Sequence, residues 1–320
     1  MNQKKETIPI FFSIDDSYAP FLSVALASIV QNASTEYDYI ATVLCEGLSE
    51  QNRKRLAGLG ADHFEIRFVP MENRLDHISD RIGNRLRADY FTLTIFFRLF
   101  IPVMFPEYDK AIYLDSDIVV PGDISELYRT DLGGNLIAAA ADHSVVDVPP
   151  FANYIENAVG IDKYHYINSG VLLMNLKRLR EVGLEQRFLE LMNRYHFDCI
   201  APDQDYLNAL CRGRIVFLPP HWDAMPTKGK EPMKEPKLVH YNLFEKPWCY
   251  EDVQYESHFW KYAGDTGYLP EIMDVKARYG EKERQSDREH LELMLTRAEE
   301  IAAGEVTFRA VFDSGKEERL

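Results

Sequence analysis

Segment 110–120 holds the residue pair with the clearest chemistry. Its apolar run is interrupted by Asp115-Ser116-Asp117 and then resumes. A buried, unpaired carboxylate is costly, so this pair needs a positive partner. Residues i and i+2 of a strand point to the same side, which lets Asp115 and Asp117 converge on one cation, and their oxygen ligands suit Mg²⁺ or Mn²⁺. Two solvated aspartates in a turn would give the same pattern, because short motifs often match by chance.

Two residues far along the chain could complete a metal site. His240 lies in the apolar run 238–242, and Lys246 follows six positions later. We expect this run to be a strand of the same sheet as the acid pair, so that Asp115, Asp117 and His240 form a plausible ligand set for Mn²⁺. A lone histidine is more often a polar residue with no ligand role, and that alternative stays open here.

Alternating strands and helices must position these residues. The apolar pattern predicts a strand at 8–14, a helix at 19–32, a strand at 39–44, a helix at 49–59 and a strand at 64–69. This alternation favours a parallel sheet with helices on its faces. Segment 166–176 begins with its polar residues instead of ending with them, which predicts a mixed sheet.

Polar residues follow the predicted strands, where ligands of open α/β sheets gather. Asp15, Asp16 and Tyr18 follow the first strand and are candidates to contact a nucleoside, although an aspartate there also makes a good helix N-cap. Arg98 lies in an apolar helical stretch at 90–105. It could clamp a phosphate or carboxylate of a ligand, or form a structural ion pair with an aspartate of the central motif.

The second half of the chain offers further acids. Asp142 follows a predicted strand at 136–141, and Asp203 and Asp205 begin a helix, where the helix dipole alone would favour them. Segment 145–165 reads as irregular and is expected to form a lid or an acceptor wall. Segment 227–236 is expected to be a mobile loop.

The composition changes beyond about Leu269, and we predict a main domain over 1–265 and a helical extension over 266–320. Ser286-Asp287-Arg288-Glu289 has the pattern of a capping box, and 306–312 looks strand-like. We expect the extension to dock on the main domain or on a partner, and its helix is a candidate contact for a homo-oligomer.

Charge and cysteine content narrow the class of protein. A net charge of −15 argues against a nucleic-acid binder and against simple docking to anionic lipid, which leaves at most peripheral membrane contact. Four scattered cysteines form neither a zinc pattern nor a disulfide framework, and no apolar stretch is long enough to span a bilayer. We expect a cytoplasmic protein.

Six motifs between residues 8 and 262 together resemble glycosyltransferase family 8, the retaining GT-A enzymes that include bacterial lipopolysaccharide galactosyl- and glucosyltransferases and glycogenin. The motifs are Phe12-Ser13-Ile14-Asp15-Asp16-Ser17-Tyr18, Phe97-Arg98-Leu99, Tyr113-Leu114-Asp115-Ser116-Asp117, Asn168-Ser169-Gly170-Val171-Leu172, Asp203-Gln204-Asp205, and His240 with Lys246-Pro247-Trp248.

The resemblance implies a GT-A fold, which is Rossmann-like with a mixed, mostly parallel sheet and helices on both faces. It implies Mn²⁺- or Mg²⁺-dependent transfer of glucose or galactose from a UDP-sugar to a saccharide or glycolipid acceptor, with retention of configuration, as in lipopolysaccharide biosynthesis. The metal ligands implied are Asp115, Asp117 and His240. The implied contacts to the donor are Ser13, Asp15, Asp16, Tyr18, Arg98, Asp115, Ser116, Asn168, Asp203 and Lys246. The candidates for catalysis are Gln204, Asp205 and Asp142.

The sequence departs from the family at one position and leaves two other functions to weigh. Leu243 stands where the family often has a glycine, and leucine brings its backbone close to a phosphate less freely.

A metal-dependent nucleotidyltransferase would usually carry a basic, glycine-rich loop after the first strand, and Ile14 is followed by neither feature. A non-catalytic nucleotide-sugar binding protein should lose the metal set or Gln204, and both are kept.

Overall fold

A computed structural model describes residues 5–71 and 93–320. Nine strands lie in these residues: β1 (Thr7–Asp15), β2 (Asp38–Glu46), β3 (Phe64–Pro70), β4 (Ala111–Leu114), β5 (Ile118–Val119), β6 (Ile137–Ala139), β7 (Val171–Met174), β8 (Ile215–Phe217) and β9 (Val239–His240). The α-helices of the same residues are α1 (Ala19–Asn32), α2 (Glu50–Ala57), α3 (Phe97–Met104), α4 (Ile124–Tyr128), α5 (Pro149–Tyr154), α6 (Leu176–Glu181), α7 (Leu184–Tyr195), α8 (Pro202–Cys211), α9 (Glu256–Ala263), α10 (Leu269–Arg278), α11 (Glu281–Ala302) and α12 (Phe308–Asp313).

The chain divides into two compact units. The first unit comprises the described parts of Met1–Arg98, Ala111–Asp131 and His221–Gly280, and the second comprises Leu99–Lys110, Leu132–Pro220 and Glu281–Leu320. The strands are mostly parallel, with helices around them, so the predicted mixed α/β fold of the GT-A type is confirmed. The predicted boundary at residue 265 stays a prediction.

In the first unit β1 is central. It pairs in parallel with β2 on one side and with β4 on the other, and β3 pairs in parallel with β2. Both faces of β1 are apolar and covered, since the consecutive residues Ile10, Phe11 and Phe12 point to alternate faces and are all fully buried. The parallel register brings the carboxyl ends of β1 and β4 to the same edge of the sheet, and the polar residues after both strands therefore lie near one another.

The strand of His240 differs from the expected one. β9 pairs with β5 in a separate two-stranded antiparallel sheet, and not with the parallel strands. Ile118 lies opposite His240 in this ribbon, and the Tyr241 N–H donates to the Asp117 carbonyl at 2.9 Å. The prediction of one common sheet was wrong because the chain bends at Ser116 and Asp117, so that β5 turns away from β4. The ribbon nevertheless brings the histidine next to the acid pair.

In the second unit β6 pairs antiparallel with β7 and parallel with β8, which confirms the mixed sheet. An isolated bridge between Ala141 and Ile167 extends the β6–β7 pair. The Asp142 N–H donates to the Tyr166 carbonyl at 2.8 Å and the Asn168 N–H donates to the Ala140 carbonyl at 3.0 Å. These bonds fix the end of one strand against the start of the next.

One segment is more helical than expected. Segment 145–165 holds α5, a π-helical turn at Ile155–Val159 and a 3-10 turn at Lys163–His165. Pro149 and Pro150 misled the prediction, because proline breaks a helix interior but favours the first helical turn. The predicted helix at 90–105 begins outside the described residues. Its described part is a 3-10 turn at Leu93–Phe96 followed by α3.

The extension also differs from its predicted form. α11 begins at Glu281, so Ser286 lies inside the helix and caps nothing. The charged residues before it are good helix formers and carry the helix past the apparent cap. The expected strand at 306–312 is α12, capped by Thr307. Phe308, Val311 and Phe312 are buried at helical spacing, a period that outweighs their strand-like composition.

Candidate functional site

The acid pair and the histidine converge in the first unit. One ligand atom from each of Asp115, Asp117 and His240 lies within 4.8 Å of the others. The His240 Nε2 atom is 3.4 Å from Asp117 Oδ1 and 3.8 Å from Asp115 Oδ2. Two carboxylate oxygens and one imidazole nitrogen are a donor set that suits Mn²⁺. The spacing leaves room for one ion, and the three residues therefore fit a divalent metal.

The second ring nitrogen of His240 is held by an acid that the sequence prediction missed. Asp223 Oδ1 lies 3.1 Å from His240 Nδ1, and both side chains are buried. Burial opposes charging of the imidazole, but Asp117 and Asp223 outweigh it and raise the pKa of His240 well above its usual value. A partner on Nδ1 directs Nε2 toward the acid pair, as is common for metal-binding histidines. No local motif marks Asp223, which lies in the first unit well before β9.

Lys246 lies against the same acid pair. Its Nζ atom is 2.5 Å from Asp117 Oδ2 and donates to the Tyr241 carbonyl at 2.7 Å. Burial opposes ionisation of Asp117, yet Lys246 and His240 outweigh it, and the pKa of Asp117 is lowered. The carboxylate is thus charged at any physiological pH. Leu243, on the loop between His240 and Lys246, has a φ of 54° and an exposed side chain, so the backbone adopts the left-handed conformation that a glycine would favour.

Arg98 forms the structural ion pair that the sequence left open. Its Nη2 atom is 2.8 Å from Asp115 Oδ1, and its guanidinium lies 4.3 Å from the centre of the Tyr113 ring. The Tyr113 hydroxyl also donates to Asp115 Oδ1, at 3.0 Å. Arg98 is 4% exposed. The pair orients Asp115 and leaves its other oxygen, Oδ2, on the side of His240.

Both acids of the first elbow have structural partners. Asp15 accepts from the Ser17 and Tyr18 N–H groups, which confirms the capping alternative. Asp16 accepts from the Ser49 N–H and the Asn52 side chain, each at 2.8 Å. The Ser49 hydrogen bond is the main cause that lowers the pKa of Asp16. These bonds hold the turn that follows β1 at the edge of a cleft.

That cleft has a volume of about 180 Å³. Its walls include residues of the first elbow, of the Arg98 segment and of the central motif, namely Ser13, Asp15, Tyr18, Thr94, Arg98, Tyr113, Asp115, Ser116 and Asp117. The Ser13 hydroxyl oxygen is buried and has no hydrogen-bond partner among the described residues. A polar ligand in the cleft would satisfy it.

The remaining predicted residues form a buried network in the second unit. Asp142 Oδ2 accepts from the side-chain amides of Asn168 and Gln204, each at 3.1 Å. Gln204 Oε1 accepts from the Ser169 N–H at 3.0 Å, and the Ser169 hydroxyl donates to Asp203 at 2.8 Å. The network fixes both ends of the Gln204 amide, so its orientation is determined. Ser169 lies in one of the six motifs, but the sequence did not predict that it links Gln204 to Asp203.

Asp205 differs from its neighbours on α8. It is fully buried, and its oxygens accept from the hydroxyls of Tyr154 and Tyr166, each at 2.6 Å, and from the Ala201 N–H at 3.1 Å. Burial outweighs these hydrogen bonds and raises the pKa of Asp205 to about 7. Asp205 is 0% exposed and anchors α8, whereas Gln204 keeps 7% of its surface exposed, so Gln204 is the better placed of the two candidates to meet a ligand.

Comparison with known proteins identifies the family. The sequence model of glycosyl transferase family 8 matches residues 9–252. The chain belongs to this family. Membership agrees with the metal-ligand geometry of the first unit.

Two curated relatives are similar to this chain in sequence. A putative glycosyltransferase of Haemophilus influenzae is 29% identical over 224 residues, which are 69% of this chain and 64% of that protein. A lipopolysaccharide 1,2-glucosyltransferase of Escherichia coli K12 is 27% identical over 311 residues, 86% of this chain and 85% of that protein.

Two solved structures share the fold. The galactosyltransferase LgtC, in complex with donor and acceptor sugar analogues, has a TM-score of 0.66 at 27% identity, over 81% of this chain and 96% of LgtC. The bifunctional glycosyltransferase WbbM has a TM-score of 0.72 at 24% identity, over 86% of this chain and 53% of WbbM, and shows the fold alone. Within the described ranges, no helix has the length and apolar character to cross a membrane.

Proposed function

We propose that this family member transfers a hexose, glucose or galactose, from a UDP-sugar to a saccharide or glycolipid acceptor with retention of configuration. The observation that carries the proposal is the convergence of Asp115, Asp117 and His240 beside a cleft that meets the first elbow. Lipopolysaccharide glucosyltransferase activity of a relative and donor binding by LgtC support the choice of substrates.

The three ligands would hold Mn²⁺ or Mg²⁺, which supplies positive charge to the diphosphate of the leaving nucleotide. The ammonium of Lys246 is held beside the metal ligands by Asp117. It would therefore place a second positive charge next to the diphosphate. Ser13, Asp15 and Tyr18 line the cleft and would contact the nucleoside. Asp16 supports that contact by holding the elbow through Ser49 and Asn52.

In the second unit, Asp142, Asn168 and Asp203 would bind sugar hydroxyls, since carboxylates and amides suit such groups. Gln204 would stabilise the positive charge that grows on the anomeric carbon as the glycosidic bond breaks. Its fixed amide suits this task, because a preorganised dipole costs no reorganisation during the reaction.

The test is a panel of UDP-sugars with Mn²⁺, in which UDP release is measured and any product is examined by NMR. We expect one UDP-hexose to give release well above the rest and a product that keeps the anomeric configuration. An inverted product would refute retention. No release or transfer with any donor, despite metal binding, would favour a nucleotide-sugar binding protein instead.

A further inference from the structure

A second cavity lies in the second unit, away from the Asp142 network. Its volume is about 330 Å³, larger than that of the cleft at the acid pair. Its walls come from the 3-10 turn Lys163–His165, the end of α8 and β8. No residue assigned above to donor, metal or catalysis lines it.

The chemistry of this cavity combines an exposed aromatic ring with mixed polar groups. Phe217 is 44% exposed, and the ring of His165 lies 5.3 Å from it, edge to face. Asp162 holds His165 Nδ1 at 3.0 Å, and Arg212 donates from one nitrogen to the Gly160 carbonyl at 2.9 Å. Each of these polar side chains keeps further donor or acceptor atoms for a ligand.

The balance of charge indicates which ligand fits. The cavity pairs one carboxylate, Asp162, with one guanidinium, Arg212, so it offers no net charge to attract a phosphate. The face of an aromatic ring is electron-rich and the C–H face of a sugar ring is electron-poor, so an exposed Phe217 suits a pyranose. Asp162, His165 and Arg212 could then bond the hydroxyls at the sugar's rim.

The wall of the cavity also contacts the backbone of Gln204. Asn208 lies in its wall, and the Asn208 amide donates to the Gln204 carbonyl at 2.9 Å and to the Ile167 carbonyl at 3.0 Å. Asn208 and Gln204 are one helical turn apart on α8, about 6 Å along the axis. A sugar in the cavity would thus lie within the reach of an oligosaccharide from the residues around Gln204.

We propose that this cavity is a second saccharide subsite, which binds a neutral hexose unit of the acceptor. This proposal rests on the proposed function only because it names the acceptor as the source of the sugar. Phe217 is its aromatic platform, and Asp162, His165 and Arg212 are its hydroxyl partners.

The test is saturation-transfer NMR on the full chain with lactose and maltotriose, without donor or metal, so that it does not depend on glycosyl transfer. We expect at least one of the two saccharides to bind. Phe217→Ala should weaken binding about tenfold, whereas Phe217→Tyr keeps the ring and should keep binding. Val306→Ala removes another exposed apolar side chain of the same unit and should change nothing. Near-UV circular dichroism checks that each variant is folded.

Three results would overturn the subsite. The first is no saturation transfer from either saccharide, and the second is equal binding by wild type and Phe217→Ala. The third is loss of the signal when UDP and Mn²⁺ are added, which would place the sugar in the cleft of the first unit. UDP release in the donor panel would be unaffected by any of these outcomes, so the two proposals fail separately.

Discussion

The Nδ1 atom of His240 lies 3.1 Å from Asp223, while its Nε2 atom lies 3.4 Å from Asp117. The imidazole is therefore held between two carboxylates, one of which belongs to the acid pair. Such a ring has one orientation, and that orientation directs Nε2 to the position of a bound cation.

Asp223 should control metal affinity without touching the metal. We predict that Asp223→Asn weakens Mn²⁺ binding by about 10- to 100-fold, because the amide orients the imidazole less firmly and lowers its basicity. Isothermal titration calorimetry with Mn²⁺ measures this directly. Glu65→Gln, which alters an exposed carboxylate of the same unit, is the matched control. Equal affinities of Asp223→Asn and wild type would contradict the role of Asp223.

Gln204 should matter for turnover more than for the fold. We predict that Gln204→Ala lowers kcat by about 100-fold or more, since it removes a preorganised dipole. Gln204→Glu should also be impaired, because a carboxylate would then face Asp142 at the 3.1 Å now spanned by a hydrogen bond. Steady-state kinetics with the best UDP-hexose measures both. Gln186→Ala, on an exposed face of the same unit, should retain activity, and full activity of Gln204→Ala would remove Gln204 from the catalytic candidates.

The raised pKa of Asp205 predicts that the stability of the folded protein depends on pH. Its pKa rises from 3.8 in the unfolded chain to about 7 in the folded protein, so the folded protein binds the extra proton between these values. The free energy of unfolding should therefore fall as pH rises from about 4 to about 7, by up to about 1.4 kcal/mol per pH unit, and should level off above. The pKa values of Tyr154, Tyr166 and Cys199, which face Asp205, are raised well above their usual values and so fall outside this window. Asp203 also acts on Asp205.

Asp205→Asn cannot ionise and should lose this dependence. Chemical denaturation at pH 5, 6, 7 and 8 gives the difference in unfolding free energy between the variant and wild type. As pH rises from 5 to 8, we expect the asparagine variant to gain a few kcal/mol in unfolding free energy relative to wild type. A difference that stays constant with pH would show that Asp205 is ionised throughout.

Glu317 should anchor the segment that supports α8. Its side chain is 5% exposed and contacts Arg187 at 2.7 Å, Arg194 at 2.5 Å and the Tyr195 hydroxyl at 2.8 Å. The neighbouring Arg319 donates to the Ala209 carbonyl at the end of α8. We predict that Glu317→Ala lowers the free energy of unfolding by about 1 to 2 kcal/mol, because it removes the acceptor shared by Arg187, Arg194 and Tyr195 while solvent screens the exposed Arg194.

Glu318→Ala is the matched control for Glu317, because its side chain is exposed one position later. Urea denaturation of the two variants and wild type should show a loss only for Glu317→Ala. Equal stability of the two variants would indicate that residues 317–320 are held by their backbone contacts alone.

The sequence predicted most of the framework of the first unit. The helix at 19–32 and the cap at Ser49 appear as expected, because apolar spacing and local capping are short-range signals. The strand of His240 was placed in the wrong sheet, since the choice of partner strand depends on long-range pairing with β5. α12 was mistaken for a strand because its aromatic and β-branched residues suit both structures.

The candidate site was only partly predictable, because some of its residues lie in sequence motifs and others act through long-range contacts. The acid pair, His240 and Gln204 stand in motifs with recognisable spacing, and the fold brings the metal candidates together. Asp223 and Tyr154 carry no such motif. They act by contacting residues distant in sequence, as Asp223 contacts His240, and only the folded chain shows that contact. The burial of Asp205 was likewise hidden, because an acid in the first turn of a helix is usually exposed.

The most direct test of the central claim is UDP release from the preferred UDP-hexose, compared between wild type and Asp117→Asn at saturating Mn²⁺. The variant keeps the shape of Asp117 but removes the charge shared with His240 and Lys246. Asp274→Asn, an exposed acid of the same unit, is the control. We predict Mn²⁺-dependent release by wild type and Asp274→Asn, and at least a 100-fold lower rate for folded Asp117→Asn. Equal rates for all three proteins, or release that does not require a divalent metal, would contradict the account.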